Sequence, residues 1–455
     1  MFEGEGYLMA KIVFQKGIAL TYLIAFTVAL KQYTALVGEN GLLPISDFVE
    51  DKNFSRVFSI FYFFRSDTAI KTSAFTGIIL SFSALAGLPS ILGEWSHWVI
   101  WSSMWFLFLS FRNTGQKFYS SGSCLAEAGF LAIFLLPGKE VPALLVLLFR
   151  WFLFRMMFGA GLIKLKKDDK KWKDLTALNY FYKTQMLPNP LSKYFHMLPT
   201  YFKKLGVLFN HFVLLVIPFL FFFPQPYASI AGGFALLHQL LIVLSGNFYW
   251  LNLLTISTTI FTFSDEILSK TINLSIQNPE AFGNPGLVLI LAALIGVRSI
   301  PATYRMLFKD DFNSKSYSPL RIVNTYGRYS IVREEKKEVI IKGFRNEKWE
   351  EYLFQEKTSG FERPRFISPY THRLDSLLWF VAHKTDEDYD FLDELLEKLL
   401  EGDDKIESLF KFVPFDEPPE KVKAEVYRYE FSDGESYWER EKIESLGTKS
   451  REDFS

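Results

Sequence analysis

The sequence has a single cysteine, Cys124, among its 455 residues. One cysteine excludes an intrachain disulfide and a metal cluster held by several thiolates. A phosphate-binding loop and a nucleophile elbow are also missing. The six histidines show no paired metal-ligand spacing; they stand at positions 97, 196, 211, 238, 372 and 383. The sequence therefore predicts no metal site.

Net charge is lacking too, because 50 Lys and Arg balance 50 Asp and Glu. Without a global basic field, nucleic acid is not an expected partner. Hydrophobic residues make up 49% of the chain and charged residues 22%. The two are segregated, with apolar blocks before residue 305 and dense charge after it. This pattern predicts a membrane domain over residues 1–305 and a soluble domain over residues 306–455.

A helix that crosses a bilayer needs about 20 mostly apolar residues. The first apolar run has no small-residue cleavage site after it, so we expect a retained helix and not a signal peptide. Glycine, proline or a charge interrupts some later runs, which could be re-entrant. We predict a polytopic α-helical membrane domain with about nine transmembrane helices, near residues 12–30, 70–88, 95–111, 121–136, 141–163, 207–223, 226–245, 248–264 and 285–304.

The C-terminal part predicts a small α+β domain with an antiparallel sheet. Residues 329–343, YSIVREEKKEVIIKG, hold two alternating runs around a charged turn, which is typical of a β-hairpin. EYLFQEK and EVYRYEFS alternate in the same way. The stretch DEDYDFLDELLEKLLEGDDKIESLFKF has helical periodicity after an acidic start.

A long loop, residues 165–206, interrupts the membrane domain and is rich in lysine and aromatic residues. Long loops between membrane helices often carry function. Loops with many Lys and Arg residues usually stay in the cytoplasm, and this rule places the loop there. With nine helices, the C-terminal domain would be cytoplasmic as well.

Three charged residues, Glu127, Arg150 and Arg155, lie inside apolar runs. A charge in the hydrocarbon layer is expensive, so each needs a partner or a wet cavity. An ion pair between neighbouring helices would offset much of the desolvation. We favour this interpretation, a structural clamp, over a charged functional cavity.

Lys164 stands near the end of an apolar run, in GAGLIKLKKDDKKW (residues 159–172). The lysines after it are expected to be solvated. Lys164 follows two glycines, where another part of the backbone can approach closely. A partly desolvated lysine beside other cations is a candidate base, although a snorkelling role is favoured on physical grounds. His211 and His238 also lie in apolar surroundings, where packing is a more common role than catalysis.

Long stretches of the chain resemble the lipase maturation factor family. In the membrane part these are RMMFGAGLIKL (155–165), WKDLTALNYFYKTQMLPNPLSKYFHMLP (172–199) and FNHFVLLVIPF (209–219). In the C-terminal part they are RIVNTYGRYSIVREEKKEVII (321–341), WEEYLFQEK (349–357) and RPRFISPYTHRLDSLLWFVA (363–382).

The resemblance implies a multi-pass membrane protein that helps secreted lipases to fold and assemble. It also implies that the 165–206 loop and the C-terminal domain are extracytoplasmic, against the positive-inside count. Animal members carry several lumenal cysteines, whereas Cys124 stands alone here, so a dithiol-based role is not expected. The compact chain suggests a prokaryotic member in the bacterial inner membrane; a eukaryotic member would lie in the endoplasmic reticulum.

The membrane part is also distantly similar to the transmembrane domain of vitamin K-dependent γ-carboxylase. That enzyme has two adjacent lysines at this point, of which the second is considered the base that deprotonates the quinol. Ile163 replaces the first lysine, so the resemblance carries over only to Lys164.

Two hypotheses follow. In the first, the chain is a maturation factor without a cofactor, and its partners are membrane lipids and a secreted lipase or another exported client. Its candidate client- or ligand-binding residues are Arg155, Trp172, Asp174, Asn189, His196 and Tyr370.

In the second hypothesis, the chain is an enzyme that acts on a bound lipid or quinone at the membrane edge. Lys164 would be the base, and Arg155 would bind an anion. His211 or His238 would assist. The length of the family resemblance favours the first hypothesis.

Overall fold

The structure, a computed structural model, describes most of the chain. The described residues are 6–50, 52–119, 122–247, 249–273, 279–310, 312, 316, 318–327, 330–367, 369–383 and 390–451.

The α-helices of the membrane domain are α1 (Leu8–Val37), α2 (Ile45–Glu50), α3 (Phe54–Val57), α4 (Asp67–Ala86), α5 (Leu88–Leu92), α6 (Glu94–Thr114), α7 (Ser123–Ala132), α8 (Ala143–Lys166), α9 (Lys170–Lys173), α10 (Ala177–Thr184), α11 (Ser192–Met197), α12 (Thr200–Leu215), α13 (Ile217–Leu220), α14 (Tyr227–Ser245), α15 (Tyr249–Thr259), α16 (Asp265–Leu268) and α17 (Pro285–Phe308). The C-terminal elements are β1 (Lys336–Arg345), β2 (Lys348–Glu351), β3 (Leu353–Phe354), α18 (Arg373–Ala382), α19 (Asp390–Glu401), α20 (Asp404–Glu407), β4 (Phe410–Phe412), β5 (Lys421–Phe431) and β6 (Trp438–Ser450).

Among the described residues, six helical spans are long and apolar enough to cross a membrane: α1, α4, α8, α12 with α13, α14, and α17. The chain is therefore a mostly helical, multi-pass membrane protein. The predicted number of nine is not confirmed. Helices α7 and α15 have only 10 and 11 residues, about half the length of a spanning helix. Helix α6 has 21 residues but is less apolar.

Helix α1 lies at the centre of the bundle and packs against α4, α6, α7 and α15. Its Phe14 ring lies 4.7 Å from Phe149 of α8 and 5.3 Å from Phe261, and the latter two rings stack at 4.2 Å. Gly77 of α4 lies against the ring of Phe26, where a Cβ atom would clash at 2.5 Å. This close packing fixes the bundle around which the candidate site is built.

The C-terminal domain holds a four-stranded antiparallel sheet in the order β2-β1-β5-β6 and a separate two-stranded sheet, β3-β4. Helices α18 and α19 pack on the larger sheet. The predicted antiparallel sheet is thus present. The start of the predicted acidic helix, residues 386–389, and residue 329 of the predicted hairpin lie outside the described residues.

The predicted position of the hairpin turn was wrong. The charged turn was expected within REEKKE, but Lys336 already begins β1. The observed turn is at Asn346 and Glu347, which both have positive φ angles, 51° and 62°. This conformation suits the right-handed twist of a two-residue hairpin.

Candidate functional site

Glu127 of α7 and Arg155 of α8 form a buried ion pair. Both side chains are almost fully buried. Asn324 and Tyr326 add hydrogen bonds to the pair. Glu127 accepts hydrogen bonds from the Asn324 side-chain amide (2.8 Å) and from the Tyr326 hydroxyl (2.6 Å), and Arg155 donates to the Asn324 carbonyl (2.8 Å). The pair therefore anchors residues 322–326, the segment that leads to the C-terminal domain, inside the helix bundle.

Arg150 is separate from this pair, although the sequence grouped the three charges. Five residues along a helix correspond to roughly 140° around its axis, so Arg150 and Arg155 face different neighbours. Arg150 donates to the carbonyls of Phe261 and Phe221, both at 2.9 Å, and to the hydroxyl of Tyr7 at 2.9 Å. Its role in the bundle is to join α8 to three other segments.

The two glycines before Lys164 allow close packing on two sides of α8. A Cβ atom on Gly159 would lie 2.2 Å from the carbonyl oxygen of Tyr326, and one on Gly161 would lie 2.8 Å from Leu214 of α12. The close approach predicted for this motif thus involves other parts of the same chain. Gly161 brings α12 against the face of α8 that carries Lys164.

Lys164 is only 5% exposed. Its ammonium donates to the side-chain oxygen of Asn210 (3.0 Å) and lies 4.5 Å from the ring centre of Trp172. The Asn210 amide in turn lies 2.9 Å from Nε2 of His238. Within the described part of the chain, no carboxylate pairs with Lys164. A buried cation without a counter-ion is unusual, because its desolvation is not compensated.

This hydrogen-bonded chain determines which nitrogen of His238 carries the proton. The oxygen of Asn210 accepts from Lys164, so its amide nitrogen donates to His238 Nε2. The imidazole proton is then on Nδ1, which is buried and has no partner among the described residues. His211 is placed differently, because its Nε2 donates to the carbonyl of Trp172 (3.0 Å).

A cavity of about 390 Å³ opens beside Lys164. Its polar lining includes Lys164, Asn210 and His238, and its apolar lining comes from α8, α10, α11, α12, α14 and α15. Arg155 does not line it, so the structure does not bring Arg155 and Lys164 together in one cavity, as the enzyme hypothesis expects. The two residues are nine positions apart, roughly 180° around the helix, and Arg155 is already occupied by Glu127.

The 165–206 loop caps the end of α14. Asn189 donates to the carbonyls of Val243 (3.0 Å) and Leu244 (3.1 Å), and Gln185 donates to that of Ser245 (2.7 Å). The last carbonyls of a helix have no partner within the helix, so these side chains satisfy groups that would otherwise be unpaired. The loop is thereby fixed to the membrane bundle.

The same loop also contacts the C-terminal domain. Lys183 forms an ion pair with Glu430 (2.6 Å), and Lys193 donates to the carbonyl of Ser432 (2.5 Å). Asp169 accepts from the backbone N–H of Val332 (2.7 Å). Loop and C-terminal domain therefore form one composite surface on the same side of the bundle.

The five loop and C-terminal candidates differ in exposure. Asp174 is exposed, whereas His196 and Tyr370 are half-buried. Trp172 (2% exposed) and Asn189 (fully buried) present no surface to a protein client. Their role is packing, because Trp172 covers Lys164 and Asn189 caps α14.

His196 lies at the contact between the loop and the C-terminal domain, with its ring 5.3 Å from that of Phe431. Burial, assisted by the charges of Lys203 and Lys183, lowers the pKa of His196 to about 4. The Tyr370 hydroxyl accepts from Gln32 at the end of α1 (3.0 Å), so Tyr370 joins the C-terminal domain to the central helix.

Asn210 contacts Lys164 and Asn324 contacts Glu127, and the sequence singled out neither asparagine beforehand. Asn210 directly precedes His211 within an apolar run, and Asn324 lies in the stretch RIVNTYG. A lone amide in an apolar run often marks an interhelical hydrogen bond, and that signal was available for Asn210. Among the described residues, no group of three His, Cys, Asp or Glu is placed to hold a metal ion.

Two family profiles match the chain. The profile described as the lipase maturation factor transmembrane domain matches residues 9–270, and the one described as the lipase maturation factor C-terminal domain matches residues 322–448. No solved structure matches at a significant level. These descriptions give no support to the alternative of an enzyme that acts on a lipid or quinone.

Curated relatives agree over most of the length. Lipase maturation factor 1 of Bos taurus is 34% identical over 93% of this chain and 84% of its own, and the Homo sapiens protein is 34% identical over 93% and 83%. Lipase maturation factor 2 of Xenopus tropicalis is 23% identical over 96% of this chain and 82% of its own. The chain therefore belongs to the lipase maturation factor family.

Proposed function

We propose that this membrane maturation factor assists a secreted lipase, or another exported protein, to reach its active form. The observation that carries the proposal is the 34% identity to lipase maturation factor 1 over 93% of the chain, which spans both domains. The two family profiles match residues 9–270 and 322–448, so the similarity extends over the membrane part and the C-terminal part.

The client is proposed to bind the composite surface formed by the 165–206 loop and the C-terminal domain. Two contacts support this surface as a single unit, the Lys183–Glu430 ion pair and the hydrogen bond from Lys193 to Ser432. Asp174 is the exposed candidate on it. Trp172 and Asn189 would act as positioning residues that hold the loop in place.

The functional test uses deletion of the gene in its host, followed by assay of secreted lipases. We expect lipase protein to be made but its specific activity to fall, and the wild-type gene to restore it. Asp174→Arg should restore activity less well than Lys270→Glu, a matched change of an exposed residue at the other end of the bundle. Full activity of every secreted lipase after the deletion would contradict a lipase client.

We also propose that all nine apolar runs cross the membrane layer, with α7 and α15 as part-helical crossings. Contacts at the end of the bundle far from the C-terminal domain support this. Asp265, after α15, accepts hydrogen bonds from the backbone at the start of α1. Lys11 of α1 donates to the carbonyl of Leu136 after α7 (2.9 Å), and Lys139, before α8, pairs with Glu94 at the start of α6 (3.3 Å).

The opposite end supports the same arrangement. Gln32, near the end of α1, donates to the carbonyl of Thr371 (3.0 Å), and Asp67, at the start of α4, pairs with Lys405 (2.6 Å). These contacts support successive runs that join the two ends alternately, as nine crossings would require. The composite surface is proposed to be extracytoplasmic, as the resemblance implies.

Cysteine labelling tests this orientation. Cys124 is the sole cysteine and is buried, so an introduced thiol has little background. In intact cells, a membrane-impermeant maleimide should label Asp174→Cys but should label Lys270→Cys only after lysis. The reverse pattern would place the composite surface in the cytoplasm, as the positive-inside count predicted.

A further inference from the structure

The cavity beside Lys164 combines an apolar interior with a buried cation. Its lining includes Met157, Leu178, Phe209 and Leu214, all apolar, around the ammonium of Lys164. A volume of about 390 Å³ lies in the range of sites that hold one small ligand, roughly 300–1,000 Å³. This composition fits a molecule with a long apolar part and a single anionic group.

Three polar groups around the cavity lack either a counter-ion or a hydrogen-bond acceptor, and an anion would supply both. Lys164 has a neutral amide partner, Asn210, and no carboxylate partner among the described residues. His238 Nδ1 and Trp172 Nε1 are buried donors without a partner in the same part of the chain. A buried unpaired donor costs free energy until an acceptor arrives. A bound oxyanion would pair with the cation and accept from the donors.

Part of the cavity lining is apolar and exposed, as expected of a surface that faces lipid. Phe202 of α12 is 57% exposed, and Leu198 (39%) and Leu241 of α14 (38%) lie on the same rim. Nearby, Tyr194 and Tyr201 are also exposed, as is usual for aromatic residues at the lipid headgroups. An amphiphile in the bilayer could therefore enter sideways, between the start of α12 and the end of α14.

We propose that this cavity binds one acyl chain that carries an oxyanion head, either a carboxylate or a phosphate, with the head on Lys164 and the chain among the apolar lining. Asn210, which is itself hydrogen-bonded to His238, holds the ammonium in position, and Nδ1 of His238 remains available to the head. The site is distinct from the composite client surface, and the proposal does not depend on which client is served. No bond is made or broken, because the site is proposed only to bind.

The test is equilibrium binding to the full chain in phosphatidylcholine nanodiscs, with radiolabelled hexadecanoate and hexadecanol as probes. The two probes share a chain and differ in the charge of the head. A charge-assisted hydrogen bond in a buried site predicts at least about a tenfold preference for the carboxylate. Equal affinity of the wild-type protein for acid and alcohol would overturn the proposal, and so would the absence of saturable binding.

Variants assign the preference to one residue. Lys164→Met keeps most of the side-chain volume and removes the charge, so it should lose the preference for the acid while still binding the alcohol. Lys173→Met, which changes an exposed lysine outside the cavity, should bind like the wild type. If Lys164→Met retains the preference, the head does not lie on Lys164 and the proposal fails. If this variant does not fold, the acid-to-alcohol ratio of the wild type decides alone.

Competition separates the possible sources of the head. Displacement of hexadecanoate by single-chain lysophosphatidate supports the shared oxyanion chemistry, and the tighter of the two identifies the class of ligand. Displacement only by two-chain anionic phospholipid would overturn the assignment to one chain. Equal displacement by lysophosphatidylcholine, whose head is neutral overall, would overturn the role of charge. None of these readouts involves a lipase, so they can fail while the proposed function stands.

Discussion

Helix α8 carries two buried cations in opposite situations. Arg155 is paired with Glu127 and bound to the Asn324 carbonyl. Lys164, nine residues later on the other side of the helix, contacts the neutral Asn210 and the Trp172 ring, has no carboxylate partner among the described residues, and faces a cavity. Burial and charge alone do not distinguish the two residues. The difference lies in whether the chain itself supplies the counter-ion, and the cavity lies beside the cation that lacks one.

The largest expected effect comes from breaking the ion pair between Glu127 and Arg155. Glu127→Gln leaves Arg155 buried without its carboxylate, which should lower the free energy of unfolding by about 3–5 kcal/mol. Chemical unfolding in detergent, followed by tryptophan fluorescence, measures this. The double variant Glu127→Leu with Arg155→Met should recover part of the loss, because neither charge then remains. A single variant as stable as the wild type would show that the pair does not hold the bundle.

Substitutions of Gly159 and Gly161 test the Arg155 face and the Lys164 face of α8 separately. Gly159→Ala presses on the Tyr326 carbonyl at 2.2 Å and Gly161→Ala on Leu214 at 2.8 Å, so each should cost about 1–3 kcal/mol. Gly159→Ala should disturb the Arg155 side, and Gly161→Ala should displace α12 and weaken ligand binding at Lys164. As a control, Gly233 of α14 has no atom within 4 Å of an added Cβ. Gly233→Ala should leave stability unchanged or raise it by up to about 1 kcal/mol.

A smaller and local effect is expected at the loop. Asn189→Ala removes the hydrogen bonds to the Val243 and Leu244 carbonyls and leaves buried acceptors unpaired, at a cost of about 1–3 kcal/mol. Hydrogen exchange should become faster in residues 185–206 and at the end of α14. The exchange rates in the four-stranded sheet of the C-terminal domain should stay the same. Asp174→Ala is the matched control, because its side chain is exposed. Equal exchange in both variants would contradict the anchoring role.

The smallest expected effect is a pH dependence at His196. Its folded pKa is lowered to about 4 from 6.5, first by burial and then by Lys203 and Lys183. The stability that the neutral ring contributes is therefore present above pH 6.5 and is lost as the pH falls from 6.5 towards 4. Because the ring is partly exposed, we expect less than about 1 kcal/mol.

Limited proteolysis of the loop at pH 7.5 and pH 5 measures this change. His372 also has a pKa lowered to about 4 by burial, so the His196 contribution is the difference between the wild type and His196→Phe. The variant should lose part of the acid sensitivity. An identical response of both proteins would assign the pH dependence to other groups.

The sequence allowed prediction of the features that follow from composition. Segregated charge separated the membrane domain from the C-terminal sheet, and charges inside apolar runs pointed to a pair between neighbouring helices. The partner of Arg155 could be expected because α7 and α8 are consecutive. Asn324, almost 200 residues after Glu127, could not, because no local pattern indicates which distant segment enters the bundle.

Other features depended on tertiary context. The hairpin turn was misplaced because Asn346 and Glu347 adopt positive φ angles without the glycine that usually marks such a turn. The partners of Lys164 were not predictable from its own surroundings, since Asn210 and His238 lie 46 and 74 positions later and only the packing of α12 and α14 brings them close. The family resemblance covered this stretch but did not indicate its geometry.

The most direct measurement compares Arg155→Met and Lys164→Met in the same unfolding experiment, in detergent without added acyl lipid. Both variants replace a buried cation on one helix by the same apolar side chain. Arg155→Met should lose about 3–5 kcal/mol because it strands Glu127, whereas Lys164→Met should be as stable as the wild type or more stable, because it removes an uncompensated charge. A loss at Lys164→Met as large as that at Arg155→Met would show that the chain itself already satisfies Lys164, and would contradict the account.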